Sequence, residues 1–192
     1  MPNQPSRAAF TLDQARAIGL QKEQVYRMVT VGDLHRVGRG VYVRPDMVDP
    51  TLESLTAATV AQSAATMCLT SALVHHGLSD AIPFGTDIAL PRGVRHPAGF
   101  EHVGWHSFDP TTFDLGRTSF ANLDGLHLHV YSPERTIIDS FRLAYREGSD
   151  VANIALRRWL TRRGNSPSSL LQLAEAFPKA LPRLRQALEV LL

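Results

Sequence analysis

The chain has 192 residues, 44% of them hydrophobic and 20% charged, an ordinary globular composition with room for one domain or two small ones. No apolar run approaches the roughly 18 residues of a membrane span, and the opening MPNQPSRAAF lacks the charged start and apolar core of a secretory signal. No membrane partner and a cytoplasmic location are therefore expected. The net charge of +2 is segregated: residues 1–45 hold seven basic and three acidic side chains, residues 46–149 six and twelve, residues 150–192 seven and three. Basic ends on an acidic middle suit a polyanion or an acidic partner. Cys68, the single cysteine, has no internal disulfide partner and reads as a buried small hydrophobe.

In chain order, the stretch FTLDQARAIGL opens with Thr11 and Gln14, three apart, a capping-box spacing. Leu12 and Ala15 share one face, and Gly19 suits a helix end with positive φ. A second helix starts near Gln21. Val25, Met28 and Val29 form its buried stripe, while Lys22, Gln24, Arg27 and Thr30 point elsewhere. Gly32 and Asp33 stop it. Two short strand-like runs, LHRV and VYV, then flank Gly38-Arg39-Gly40, a hairpin turn. Helix, glycine turn, helix and ribbon is the order of a winged helix-turn-helix, whose second helix enters the major groove while ribbon arginines meet the backbone or minor groove.

Beyond residue 48 the elements are mixed. Residues 51–66 read as an Ala-rich helix capped by Thr51, and LTSALVHHGL as a helix ended by Gly77. TDIALP is a strand stopped by Pro91, and HVGWHSF and LHLHVYS alternate as strands do, with NLDG, 122–125, a turn before the latter. SPERTIIDSF starts a helix at Ser132 with Pro133 in its first turn. Arg135 and Asp139, four apart, are placed to pair on its surface. Further helices are expected near 149–163, 167–177 and 181–192. The last carries Leu181, Leu184, Leu188 and Leu191 on one stripe, which reads as core packing ahead of a dimer seam.

Over FTLDQARAIGLQKEQVYRMVTVGDLHRVGRGVYV the chain resembles the N-terminal domain of the AbiEi family, antitoxins of type IV toxin–antitoxin systems. Gly32, Leu34, Arg36, Val37, Gly40, Val41 and Tyr42 match that pattern. TSALVHHGL, DIALP and VYSPERTIID resemble the antitoxin domain that follows. The family usually has a helix ahead of the threonine, where this chain has the short segment with Pro2 and Pro5, and a Ser-like cap where this chain has Gln21. The resemblance implies a two-domain antitoxin that represses its own operon and counteracts a nucleotidyltransferase-type toxin encoded beside it.

Other chemistries have residue requirements of their own. His127 and His129 share a strand face, as do His102 and His106; neighbouring strands would bring imidazoles together, but no zinc-type Cys or H-E-x-x-H spacing accompanies them. Structural histidines are the plainer reading, for His75 and His76 too. A metal-dependent nuclease needs an Asp and then Glu-x-Lys on adjacent strands; Asp87 on TDIALP lacks those companions, and no acid stands two residues before Lys179. No catalytic residue, cofactor or metal is therefore assigned. Arg157, Arg158, Arg162 and Arg163 fall at helical spacing, either a solvated face or a patch for phosphate or an acidic partner.

The expectation is an α+β protein: a small winged helix-turn-helix over residues 1–48, then a mixed α/β antitoxin domain over residues 49–192 with a short sheet and C-terminal helices. Expected DNA contacts are Arg16, Lys22, Gln24, Arg27, Arg36, Arg39 and Arg44. Expected partners are double-stranded operator DNA, a homodimer mate on that DNA and the cognate toxin. A winged-helix regulator unrelated to a toxin, or a protein interaction module that binds no DNA, remain the alternatives.

Overall fold

A computed structural model describes residues 7–123, 125–144 and 149–192. It opens with a strand the sequence reading did not foresee, β1 (Ala9–Thr11), followed by α1 (Leu12–Ala17), α2 (Lys22–Thr30), β2 (His35–Gly38) and β3 (Val41–Val43). The first strand escapes a periodicity search because it is three residues long and its partner is distant, Ala9 lying opposite Val43. The order β1-β3-β2 makes a small antiparallel sheet.

The local signals act as expected. Thr11 N–H donates to Gln14 Oε1 at 2.8 Å and Gln14 N–H to Thr11 Oγ1 at 3.2 Å, closing the capping box. Gly19 takes φ +85°, which ends α1 without Cβ strain. Phe10, Ala15, Leu20, Val25, Leu34 and Tyr42 form one buried cluster under the two helices.

The sheet is covered on its other side as well. A 3₁₀ turn (Pro50–Leu52) leads into α3 (Glu53–Ala61). Asp49, not Thr51, is the cap: its carboxylate accepts from Thr51 N–H at 2.8 Å. Ala57 of α3 packs with Ala9, Val41 and Val43. Leu55 and Ala58, on another side of α3, pack into a second sheet.

That sheet contains β4 (Thr66–Met67), β5 (Thr86–Pro91), β6 (Val103–Phe108), β7 (Arg117–Leu123) and β8 (Leu126–Tyr131), with α4 (Leu69–His75) after β4. It has five strands in the order β6-β5-β4-β8-β7. β5 runs parallel to β6 and β4 parallel to β8, and the other neighbours are antiparallel. The predicted helix over 51–66 thus ends at Ala61, and Thr66 already belongs to β4. β7 was not anticipated: its register shifts between Ser119 and Ala121, and the bulge breaks the alternation a sequence search needs. Asp124, within the predicted turn 122–125, lies outside the described residues; beside it Gly125 N–H donates to Asn122 Oδ1 at 2.8 Å.

A helical layer closes the molecule: α5 (Pro133–Arg142), α6 (Ser149–Leu160), α7 (Pro167–Ala174) and α8 (Leu181–Leu191). Ile137, Leu156, Trp159, Phe177, Leu184 and Leu188 are buried in its core, so the leucine stripe of α8 is core packing. The fold is α+β.

One correction concerns Arg135 and Asp139. They are not on the surface: their side chains are 0% and 1% exposed. Arg135 Nε donates to Asp139 Oδ2 at 2.9 Å, and its Nη1 donates to the carbonyls of Thr112 and Leu115, each at 2.6 Å. The guanidinium lies 4.4 Å from the ring centres of both Tyr131 and Phe177. Arg142 reaches the other Asp139 oxygen at 3.0 Å. The i,i+4 spacing does pair them, but helix geometry alone does not say which face is covered.

Candidate nucleic-acid interface

The N-terminal sheet sorts its side chains by strand alternation. Arg36 lies opposite Tyr42 and His35 opposite Val43, and directly opposed residues share a face. Tyr42 is buried under α1 and α2, so Arg36 belongs to the α2 side. His35 belongs to the α3 side, where its Nδ1 lies 2.5 Å from Glu53 Oε1. Burial pushes the Tyr42 phenol up; the nearby Tyr26 adds to this and the positive charge of Arg36 opposes it. Arg36 thus starts from the face of the sheet that α1 and α2 cover.

On that side α2 exposes Lys22, Glu23, Tyr26, Arg27 and Thr30. The Lys22 ammonium stands 5.2 Å from the Tyr26 ring centre, a cation–π contact that steadies both. Tyr26 is 45% exposed and was missed in the sequence. The available signal was its place outside the Val25-Met28-Val29 stripe and one turn from Lys22. Arg36 and Arg39 are exposed on the hairpin. Among the described residues the side chains of Arg27, Arg36 and Arg39 make no hydrogen bond or ion pair.

The other sequence candidates sit differently. Gln24 is half-buried, and its Oε1 accepts from Gln21 N–H at 2.7 Å, so it caps α2 where a Ser-like residue was expected at Gln21. Arg44 is ion-paired with Asp46 at 2.7 Å. Arg16 is exposed and pairs with Asp13 at 3.2 Å. At the other end of the chain α6 stops at Leu160, so Arg162 and Arg163 fall beyond the helix that was expected to carry them. Arg158 forms a two-pronged ion pair with Asp80, and Arg162 donates to the Gly77 carbonyl at 2.8 Å. Two of the four arginines therefore fasten the loop after α4, while Arg157 and Arg163 remain exposed.

A cleft of about 690 Å³ opens between the hairpin and the second sheet, lined by His35, Arg36, Glu53, Phe100, Glu101 and His102 among others. The histidines weighed as metal ligands do not meet: β6, with His106, is separated from β8, with His127 and His129, by β5 and β4. His106 Nε2 instead lies 2.9 Å from Asp87 Oδ1. The second Asp87 oxygen accepts from the backbone and hydroxyl of Ser71, each at 3.3 Å, tying α4 to β5. Asp87 lies opposite Gly104 on β6, whose residues Val103–Phe108 include no acid and no lysine. His76 Nε2 is 2.7 Å from the Tyr131 carbonyl oxygen, and His75 packs on Phe120 with ring centres 4.5 Å apart. Burial lowers both imidazoles. Among the described residues no helix is long and apolar enough to cross a membrane.

Comparison with known proteins adds two findings. The chain resembles in fold the crystal structure of the RV2827C protein from Mycobacterium tuberculosis, with a TM-score of 0.55 and 16% identity over 96% of this chain and 77% of that one. No curated protein matches the chain. Residues 6–45, which span the strand, two helices and hairpin just described, match the family model of the AbiEi antitoxin transcriptional regulators, so the likeness read from the sequence over this stretch is a match to that family.

Proposed function

We propose that the protein is a DNA-binding transcriptional regulator of the AbiEi antitoxin kind, its N-terminal module acting as a winged helix-turn-helix. In this reading α2 enters the major groove and presents Lys22, Tyr26 and Arg27 to bases or flanking phosphates, while Arg36 and Arg39 on the hairpin, the wing, meet the backbone. Arg16 is an outer phosphate contact after exchanging Asp13 for DNA. Gln24 and Arg44 serve the module's own structure first. The observation that carries the reading is the exposed, uncommitted set of Arg27 on α2 with Arg36 and Arg39 on the hairpin, inside the segment that matches the regulator family.

The finer reading follows the family resemblance: the regulator represses its own operon as a homodimer on operator DNA and counteracts a nucleotidyltransferase-type toxin, acting in the cytoplasm as a binding protein without catalysis. The test is fluorescence anisotropy against the duplex upstream of its own gene and a shuffled duplex, at two salt concentrations. Tight, selective binding that weakens steeply with salt, and that is lost in the Arg36→Ala, Arg39→Ala double variant, is expected. Equal, weak binding to both duplexes would sink the proposal and favour a protein interaction module. Co-expression with the toxin candidate encoded beside the gene tests the antitoxin role: growth unaffected by the regulator would refute it.

A further inference from the structure

The tip of the hairpin is not free. Arg39 N–H donates to the Ala98 carbonyl at 2.9 Å, and Ala98 sits in the loop joining β5 to β6 in the second sheet. Two glycines permit this approach. A Cβ on Gly38 would lie 2.3 Å from the Phe100 ring, and one on Gly99 would lie 2.9 Å from Arg39 N. Gly99 also takes φ +78°. The loop is itself braced: Phe100 meets Trp105 edge-on at 5.4 Å, His96 stacks on Trp105 at 5.7 Å, and His96 Nε2 lies 3.0 Å from Ser107 Oγ. A loop fixed this way presents its outer side chains in a set position.

That loop carries Arg95, exposed and three residues from Ala98. The other described arginines of the acidic stretch 46–149 are all engaged. Arg92 faces Asp109 at 3.6 Å, Arg117 donates to Thr66 Oγ1 at 2.8 Å, and Arg135 and Arg142 share Asp139. Arg95 makes no hydrogen bond or ion pair among the described residues. An uncommitted cation thus stands on a braced loop clamped to the backbone of Arg39, inside the acidic stretch of residues 46–149. Glu101, the acid of the same loop, lines the cleft behind the hairpin.

We infer that the loop of residues 92–100 extends the DNA-binding surface beyond the winged module, with Arg95 contacting a phosphate next to the one met by Arg39. This rests on the DNA-binding reading above. It makes the second half of the chain part of the DNA footprint, with the hairpin and the loop acting as one two-lobed wing.

The experiment measures affinity of the full chain for the upstream duplex over a salt series, for wild type, Arg39→Ala, Arg95→Ala, Arg95→Lys and Arg185→Ala. The last removes an exposed arginine on α8 and controls for net charge; circular dichroism checks that each variant is folded. Each lost phosphate contact lowers the slope of log affinity against log salt by about 0.9. The expected result is such a drop for both Arg39→Ala and Arg95→Ala, none for Arg185→Ala, and a retained slope in Arg95→Lys. Arg95→Ala behaving like Arg185→Ala while Arg39→Ala loses slope would overturn the inference and leave the DNA-binding reading standing. A wild type with no salt-dependent affinity would overturn both.

Discussion

Replacing Arg135 by methionine keeps most of the side-chain volume and removes a guanidinium with 0% exposure. Three hydrogen bonds go with it: one to Asp139 and two to the carbonyls of Thr112 and Leu115. Asp139 stays buried with Arg142 as its remaining partner. Burial pushes its carboxyl up and the guanidiniums of Arg135 and Arg142 hold it down, so removing one arginine leaves the charge poorly compensated. Breaking a buried pair from one side costs about 3–5 kcal/mol. At about 2–4 °C per kcal/mol for a chain of this size, Tm should fall by roughly 6–20 °C. Urea unfolding followed by tryptophan fluorescence is the assay, because Trp159 lies in the same layer and donates to Glu134 at 3.2 Å. The midpoint should drop with the slope unchanged. Adding Asp139→Leu should recover part of the loss, since the stranded carboxylate is then gone. A cost below about 1 kcal/mol for Arg135→Met, typical of an exposed pair, would refute the argument.

Gly38→Ala should cost about 1–3 kcal/mol, because its Cβ has no room beside Phe100; a thermal melt matching wild type would show that the hairpin and loop part easily. The histidines give a pH prediction. Burial lowers His75, His76 and His129 from their ordinary value near 6.5, so between the folded and unfolded values the unfolded chain binds more protons. Stability should therefore be full above about pH 7 and decline as the pH falls through 6.5 and below. Urea midpoints at pH 7.5 and 5.5 measure it, and His76→Gln should flatten the decline; a higher midpoint at pH 5.5 would contradict the assignment.

Local chemistry was legible in the sequence, and non-local pairing was not. The Thr11–Gln14 box, the positive φ of Gly19 and the Ser132-Pro133 start of α5 each depend on neighbours within four residues, and each was read directly. β1 and β4 escape because their signal lies in distant partners, Ala9 needing Val43 and Thr66 needing His129, whereas β7 pairs with its neighbour β8 and escapes because a bulge breaks its alternation. At the candidate interface the pattern gave the cations but not their engagements. Gln24 looked free on a helical wheel, yet the backbone at Gln21 claims it. Arg44 looked like a phosphate contact, yet Asp46 holds it. Tyr26 carries no charge to mark it, and only its place outside the Val25-Met28-Val29 stripe, one turn from Lys22, points to it.

The division at residue 48, which we propose as the topological boundary, is not an energetic one. Helix α3 lies beyond it yet covers the back of the small sheet, where Val43 is 0% and Val41 4% exposed. Uncovering two buried valines forfeits about 1.5–3 kcal/mol each, and the alanines at 8 and 9 lose cover with them. Whole domains are stable by only about 5–15 kcal/mol, and a piece of this size starts from the low end. A fragment of residues 1–48 should therefore show no cooperative thermal transition, whereas a fragment carried on through α3 should regain part of one. A sharp, reversible melt for residues 1–48 alone would refute this. The physical consequence bears on the function proposed above: if the N-terminal module needs α3 to fold, its small sheet is held against the second sheet by the helix the two share.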